Sequence, residues 1–595
     1  MERDDSAAVS PARCAAFEGC TIIDLEPRWP SFDPRCRARH SALDKGSPPC
    51  EHYLVLNPEL RPFQKWPQHG LSYEGQRSIT STDDSLTAVI DIGSGSARAE
   101  IIRLNPGGGI EPIAQQVLNL NLMSYVDADG ALDPEGVAGV LDAIEDFAYV
   151  CSGYGIKEVN AVGTAALRES LNGFLVTDSA RRKHGVTFRI IDGYEEAAYC
   201  FIGAIHGLPV ARGLLADLGG GSTEIVRFAR RSLKSLDSLS LGSLRISNTF
   251  RLTDKPSSKD LATASQHAAD LLSEAKIPSL DERGSLVGSG GSMRLLAKLD
   301  RRRTAHPVPK MHGYYIDADG LGVLMEMLAS ATSAQRADIP GMNPQRTHSI
   351  VGGAVIAQAL LTHTKAKGIV VSGQGLREGL ARHPSPIGKN RRVSLPKRSK
   401  VRADGLSDLV QRFAPRFSRR GTRRANIAGR IAETAWQGHH RRLTSSLRCA
   451  ALLLDIGSSI DFYNRYDRAA ALVTRSDLPG FTHRECAQIA AILLAAEDKT
   501  LIGPFLDSEV LTRNDKRLVG RAAAILLATD EIERRLAPEF PPECVTISRE
   551  EGKGSQADND ATITIVTPAW ARASAPHLHE RWNSEFDQPL SIVRG

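Results

Sequence analysis

The sequence predicts an α/β protein of two related lobes, followed by an all-α domain and a small terminal α+β piece. Three observations predict it. One pattern of strand, aspartate, glycine turn and strand occurs twice, roughly one domain's length apart. Around both copies, apolar runs of strand type alternate with stretches of helical spacing. Beyond about residue 405 the strand signals give way to alanine-rich helical periodicity.

At 595 residues the chain is too long for one core, and two to four domains are expected. A hydrophobic content of 42% and a charged content of 24% are those of an ordinary globular protein. The net charge of +5 is too small over this length to name a partner. No apolar run is long enough to span a bilayer. The start, Met1-Glu2-Arg3-Asp4-Asp5, is acidic and lacks an apolar segment, so a secretory signal is not expected and the cytoplasm is. Nine cysteines include no C-x-x-C pair, which fits free thiols in a reducing compartment.

In chain order, residues 1–83 are rich in Pro, Arg, Asp and Ser and read as a mostly disordered extension. Cys14, Cys20, Cys36 and Cys50 lie there, at spacings that fit no zinc pattern. The first lobe is expected over 84–212. It opens on Thr87-Ala88-Val89-Ile90-Asp91-Ile92-Gly93-Ser94-Gly95-Ser96, then a second strand from Glu100. Asp133-Pro134 reads as a helix cap and first position. Val137, Val140, Leu141, Ile144 and Phe147 follow at helical spacing. A strand near Val159 ends in Gly163-Thr164-Ala165-Ala166-Leu167-Arg168. Another ends in Asp192-Gly193-Tyr194 and runs into Glu195-Glu196-Ala197.

The second lobe is expected over 213–385. Its loop is Ala216-Asp217-Leu218-Gly219-Gly220-Gly221-Ser222-Thr223-Glu224. Three glycines in a row remove every Cβ that would hold a ligand off the backbone. Their N–H groups can then converge on a phosphate. Asp217 and Glu224 bracket that concavity, and two carboxylates beside phosphate call for a divalent cation. A single such loop could be a plain tight hairpin. Two in register imply a cleft between lobes, with phosphate held from both sides.

Residues 386–404 form a basic stretch that includes Lys389, Arg391, Arg392, Lys397, Arg398, Lys400 and Arg402. It reads as a solvated linker, or as a positive rim that steers a polyanion to the cleft. Little aromatic interleaving speaks against a nucleic-acid arm. Helical spacing covers 405–531, and strands such as Ala561-Thr562-Ile563-Thr564-Ile565-Val566 precede a polar tail within 532–595.

Together the loops at Asp91 and Asp217, the Gly163–Arg168 stretch, Tyr194-Glu195-Glu196-Ala197, Gly288-Ser289-Gly290-Gly291 and Gly375-Leu376-Arg377-Glu378-Gly379 resemble the exopolyphosphatase / guanosine pentaphosphate phosphohydrolase family. The resemblance covers about 86–385 and implies two actin-like (ribonuclease H-like) lobes of the hexokinase and heat-shock ATPase superfamily. More faintly, it implies an HD-like helical domain over 405–531. It makes Glu196 the catalytic base. Asp217 and Glu224 would hold magnesium or orient the attacking water. Gly219, Gly220, Gly221, Ser222 and Thr223 would cradle phosphate, with Asp91, Ser94 and Ser96 contributing from the first loop. Arg168 would pair with a phosphate oxygen. The implied reaction is release of terminal orthophosphate from inorganic polyphosphate. Hydrolysis of guanosine pentaphosphate is the alternative, and a silent polyphosphate or alarmone binder a more distant one. A kinase or ATPase of the same superfamily would need an adenosine pocket, for which the stretch around Gly288 is the candidate. No nucleic-acid partner is expected, and a homodimer is. Two departures stand out: Gly95 replaces the family's Asn in the first loop, and the His-Asp dyad of the helical domain reads Leu454-Asp455, with Arg468 at the later His position. That domain is therefore expected to be non-catalytic, since a metal centre needs its imidazoles. His439 and His440, being adjacent, would face apart on a helix.

Overall fold

The structure is a computed structural model. It describes residues 86–105, 109–127, 129–156, 159–184, 186–389, 392–436, 441–550, 561–570 and 576–595. The extension expected over 1–83 and its four cysteines lie outside the described residues, as do His439 and His440.

The first lobe holds a five-stranded sheet: β1 (Leu86–Ile92), β2 (Ala97–Leu104), β3 (Ile110–Leu118), β4 (Val159–Gly163) and β5 (Phe188–Ile190), in the order β3-β2-β1-β4-β5. The second lobe holds β6 (Gly213–Leu218), β7 (Thr223–Ala229), β8 (Ser232–Leu239), β9 (Ser285–Ser289), β10 (Tyr314–Asp317) and β11 (Gly368–Val371), in the order β10-β11-β9-β6-β7-β8. The topology is therefore duplicated. In each lobe three strands run antiparallel through two hairpins, and the first of them then pairs in parallel with the next strands along the sheet. β10 is an added antiparallel edge. The central strands β1 and β6 are largely apolar until an aspartate near the C-terminal end, so each delivers one carboxylate to the rim of its sheet.

The Pro134–Gly153 helix starts where its cap signals place it, with Asp133 Oδ1 accepting from Gly136 N at 2.7 Å. The Gly193–His206 helix is capped in the same way by Asp192, which accepts from Glu195 N at 2.8 Å. This helix crosses the Leu376–Arg382 helix of the second lobe backbone to backbone. A Cβ on Gly203 would overlap the carbonyl of Gly375, and one on Gly379 would overlap that of Tyr199. One apolar cluster runs through the crossing, with Val89 and Val162 from one sheet and Leu215 and Val226 from the other. The two lobes are joined through shared core rather than by a hinge of loop.

The stretch expected as a linker over 386–404 is built into the fold instead. Leu233 N donates to Val393 O at 3.0 Å and Leu395 N to Arg231 O at 2.9 Å, which extends the second sheet's edge. A helix already begins at Arg398 and runs to Phe413, so the expected boundary falls inside it. Arg398 and Arg402 both pair with Glu485, and Arg402 also stacks over Phe481. Their charge is spent on holding the helical domain, which weakens the reading of this stretch as a steering rim.

Helices Ser418–Ala435, Arg441–Leu453, Arg465–Arg475, His483–Glu497 and Arg513–Glu533 form the all-α domain around an Ile/Leu/Ala core. Asp455 is not free to bind a metal. Arg424 donates to it at 2.6 Å and Arg465 at 3.1 Å, and the same two arginines pair with Asp530. Against the effect of burial, Arg424 holds the Asp455 carboxyl below its ordinary range. Arg468 is elsewhere, paired with its neighbour Asp467. The C-terminal part forms a small sheet of β12 (Thr546–Glu550), β13 (Thr562–Thr567) and β14 (Leu590–Arg594). What was expected as a polar tail contains β14 and the Pro576–Asn583 helix. Ile563, Ile565, Leu578 and Trp582 belong to the same core as the helices, so this piece is not a separate domain.

Candidate active site

Both glycine turns are closed by the same hydrogen bond. Gly93 N donates to Ser96 O at 3.0 Å, and Gly219 N to Ser222 O at 3.0 Å. The carbonyls of Gly219 and Gly220 are turned away from solvent, accepting from Ser243 N at 3.0 Å and Leu244 N at 2.9 Å. Gly242, which starts that next helix, lies so close that a Cβ there would overlap Gly220 O. The triple-glycine loop is thus pinned from behind, and its other edge faces a cavity of about 800 Å³.

That cavity gathers most of the residues expected from the sequence. Asp91, Ser94 and Ser96 line it from the first loop, Asp217, Gly219, Gly220, Gly221, Ser222 and Glu224 from the second, and Glu196 from the Gly193–His206 helix. Two expected residues take other roles. Thr223 is fully buried and donates to Leu241 O, so its hydroxyl does not face the cavity. Arg168 donates to Glu196 Oε2 at 2.7 Å and to Ile191 O at 3.1 Å. It holds the glutamate in place, where a pairing with phosphate was expected.

Cross-strand register separates the two loops. In the first, Asp91 lies opposite Arg98; in the second, the equivalent Asp217 lies opposite Glu224. Like charges directly opposite on a sheet repel. Burial, and then Asp217, pushes the Glu224 carboxyl up to about 7, although Ser222 Oγ donates to it at 2.7 Å and Ser238 Oγ at 3.1 Å. Burial, and then Glu224, holds the Glu196 carboxyl well above its ordinary range, against the pull of Arg168. Burial also raises Asp91, with Arg377 and Arg98 pulling it back. Glu196, Asp217 and Glu224, which repel one another and offer oxygen-only donors, have the chemistry of a site for a hard divalent cation, whose charge would relieve that repulsion. Among the described residues no three His, Cys, Asp or Glu side chains are arranged to enclose a metal ion by themselves.

The sequence reading missed the arginines of the cavity. Arg98, Arg294, Arg346 and Arg377 all line the cavity. Arg377 is set by a buried pair with Glu100 at 2.9 Å, and Arg294 by Gly373 O at 3.2 Å. Burial, then Arg377 and Arg294, lowers Arg98 to about 10. Guanidinium groups that repel one another in a concave site mark the position of an anion. Arg377 sits inside a motif quoted above, and Arg98 lies between the first loop and the strand expected from Glu100, where the register of the hairpin was the available signal. Arg346 carries no signal in the sequence. Among the described residues no Phe, Tyr or Trp lines the cavity.

Residues 100–383 match the Ppx/GppA phosphatase family. Exopolyphosphatase 1 of Mycobacterium tuberculosis strain H37Rv is 26% identical over 297 residues, covering 49% of this chain and 86% of that protein. Guanosine-5'-triphosphate,3'-diphosphate pyrophosphatase of Vibrio campbellii is 25% identical over 523 residues, covering 85% of this chain and 98% of that one. The crystal structure of the Aquifex aeolicus Ppx/GppA family member is 25% identical, with a TM-score of 0.46, over 50% of this chain and 97% of that one. The family match begins within β2, beyond the first glycine loop, and ends just past the helix that carries Arg377, so the greater part of both lobes resembles the Ppx/GppA phosphatases.

Proposed function

We propose that this protein is an exopolyphosphatase that releases terminal orthophosphate from inorganic polyphosphate. The observation that carries the reading is the composition of the cavity: carboxylates and four arginines together, with glycine loops from both lobes and, among the described residues, no Phe, Tyr or Trp on which a base could stack. Such a site recognises phosphate and little else. A magnesium ion held by Asp217 and Glu224 would neutralise phosphate charge and polarise the terminal phosphoryl group, completing its shell from water and phosphate oxygens. Arg98, Arg294, Arg346 and Arg377 neutralise the remaining charge, and the amides of Gly220 and Gly221 hold the phosphate oxygens, the Gly219 amide being taken by Ser222 O. Glu196 takes the proton of a water as its oxygen bonds to the terminal phosphorus. The bridging P–O bond breaks, and the shortened chain leaves with the bond's electron pair.

The duplicated strand order supports assigning both lobes to the actin-like, ribonuclease H-like fold. The arginine-filled surroundings of Asp455 support an HD-like domain without a metal centre. A second reading, hydrolysis of guanosine pentaphosphate, is favoured by one observation: the match to the Vibrio enzyme extends through the helical domain, whereas the mycobacterial one stops at about half the chain. Phosphate release from long-chain polyphosphate and from guanosine pentaphosphate, each with and without magnesium, decides between them. Release from polyphosphate at least tenfold faster supports the proposal. The reverse ratio would replace it with the second reading.

A further inference from the structure

Asp217 is gripped from behind by two donors that belong to neither glycine loop. Ser289, at the end of β9, donates Oγ to Asp217 Oδ1 at 2.6 Å. Cys200 donates its thiol to Asp217 Oδ2 at 2.9 Å. Cys200 lies four residues beyond Glu196 on the Gly193–His206 helix, so the two share a face. It is fully buried and does not line the cavity, which places it out of reach of substrate. A thiol beside a carboxylate acts as the donor of the pair, since the carboxylate can only accept.

We propose that Cys200 is a positioning residue: its S–H ties the Asp217 carboxylate to the helix that carries Glu196, so that the acid on the second lobe's strand and the base on the first lobe's helix keep one separation. The inference rests on the roles proposed above for Asp217 and Glu196. A thiol suits the task because it is a weak donor. It fixes the direction of Oδ2 without drawing off the negative charge that a cation requires. An apolar side chain of similar size would leave Oδ2 with no partner on that side, and the carboxylate could rotate about its remaining bond to Ser289.

The test uses the full-length protein and two variants, Cys200→Val, which keeps the volume but removes the donor, and Cys200→Ser, which keeps the donor. Three quantities are measured: kcat and KM on polyphosphate, the magnesium concentration at half-maximal thermal protection without substrate, and the melting temperature in chelator. Cys200→Val is expected to lower kcat about tenfold with KM nearly unchanged, the size of one lost hydrogen bond. It should also raise the magnesium half-point severalfold, with the chelated melting temperature close to wild type. Cys200→Ser should recover most of both losses. Equal impairment of the two variants would show that shape rather than donation matters, and would overturn the proposal. So would a Cys200→Val protein with wild-type kcat and magnesium half-point. If the valine variant does not fold, Cys200→Ala against Cys200→Ser gives the same comparison. A wild type that binds magnesium but cleaves no polyphosphate would sink the proposed function while the half-points still decide the role of Cys200. One whose melting ignores magnesium overturns both.

Discussion

Adjacent glutamates at the start of one helix have different surroundings. Glu195 accepts from Arg189 at 2.8 Å and from Tyr199 at 3.0 Å, a structural knot on the side away from the cavity. Glu196 faces the cavity, held by Arg168 alone among the charged donors of the described residues. Glu196→Gln is therefore expected to lower phosphate release by about 10²–10⁴-fold, the range of a lost general base, with polyphosphate binding retained. Turnover near wild type would remove the assignment. The ion pair also sets a pH dependence. The Glu196 carboxyl sits above its ordinary range, so activity is lost as pH falls and the base takes up its proton. Arg168 pulls that value down. Arg168→Ala should therefore move the acidic limb of kcat/KM to higher pH, and a profile that stays in place or moves to lower pH would refute the link.

At the scale of elements, the two hairpins are one device with opposite cross-strand residues. In the proposed reaction the arginine across from Asp91 would make the first loop a phosphate grip, and the glutamate across from Asp217 would make the second a place for a cation. What brings them face to face is the crossing of the Gly193–His206 and Leu376–Arg382 helices. The glycines at that crossing allow backbone to touch backbone, and any side chain must push the helices apart. Gly203→Ala is expected to cost about 1–3 kcal/mol of stability, as overpacking does. It should also lower kcat by widening the gap between the loops. Urea unfolding and steady-state kinetics measure the two effects, and an unchanged urea midpoint would contradict the close approach.

Across the whole molecule, the second lobe meets the helical domain through a seam of histidines, of which His483 is buried and His306 and His312 are half-buried. His306 Nε2 and His483 Nδ1 are 3.0 Å apart, and His483 Nε2 is 3.1 Å from His312 O. Burial lowers His306 to about 4 and His483 to about 3. The unfolded chain binds protons at these positions below about pH 6.5 while the folded one does not, so stability falls as pH drops from there toward 4. The site carboxylates act in the opposite sense, since Glu224 at about 7 gains protons in the folded state first. His483→Gln should remove up to about 1.4 kcal/mol of destabilisation per pH unit below 6.5. Urea midpoints at pH 7 and 5.5 for wild type and variant measure it, and parallel slopes would exclude the seam as an acid-sensitive contact.

Local chemistry in the chain determined the two lobes, both glycine loops, the caps at Asp133 and Asp192 and the helical character of the third region. Each of those signals is carried by residues within one turn or one strand, where backbone sterics and apolar spacing act directly. The arginine wall, the turning of Thr223 and Arg168 away from phosphate, the incorporation of 386–404 into the second lobe's edge and the first helix of the helical domain, and the thiol behind Asp217 were decided only by tertiary structure. They depend on side chains far apart in sequence meeting in a low-dielectric interior, where the energy of a charge or a donor is set by its neighbours rather than by its own segment.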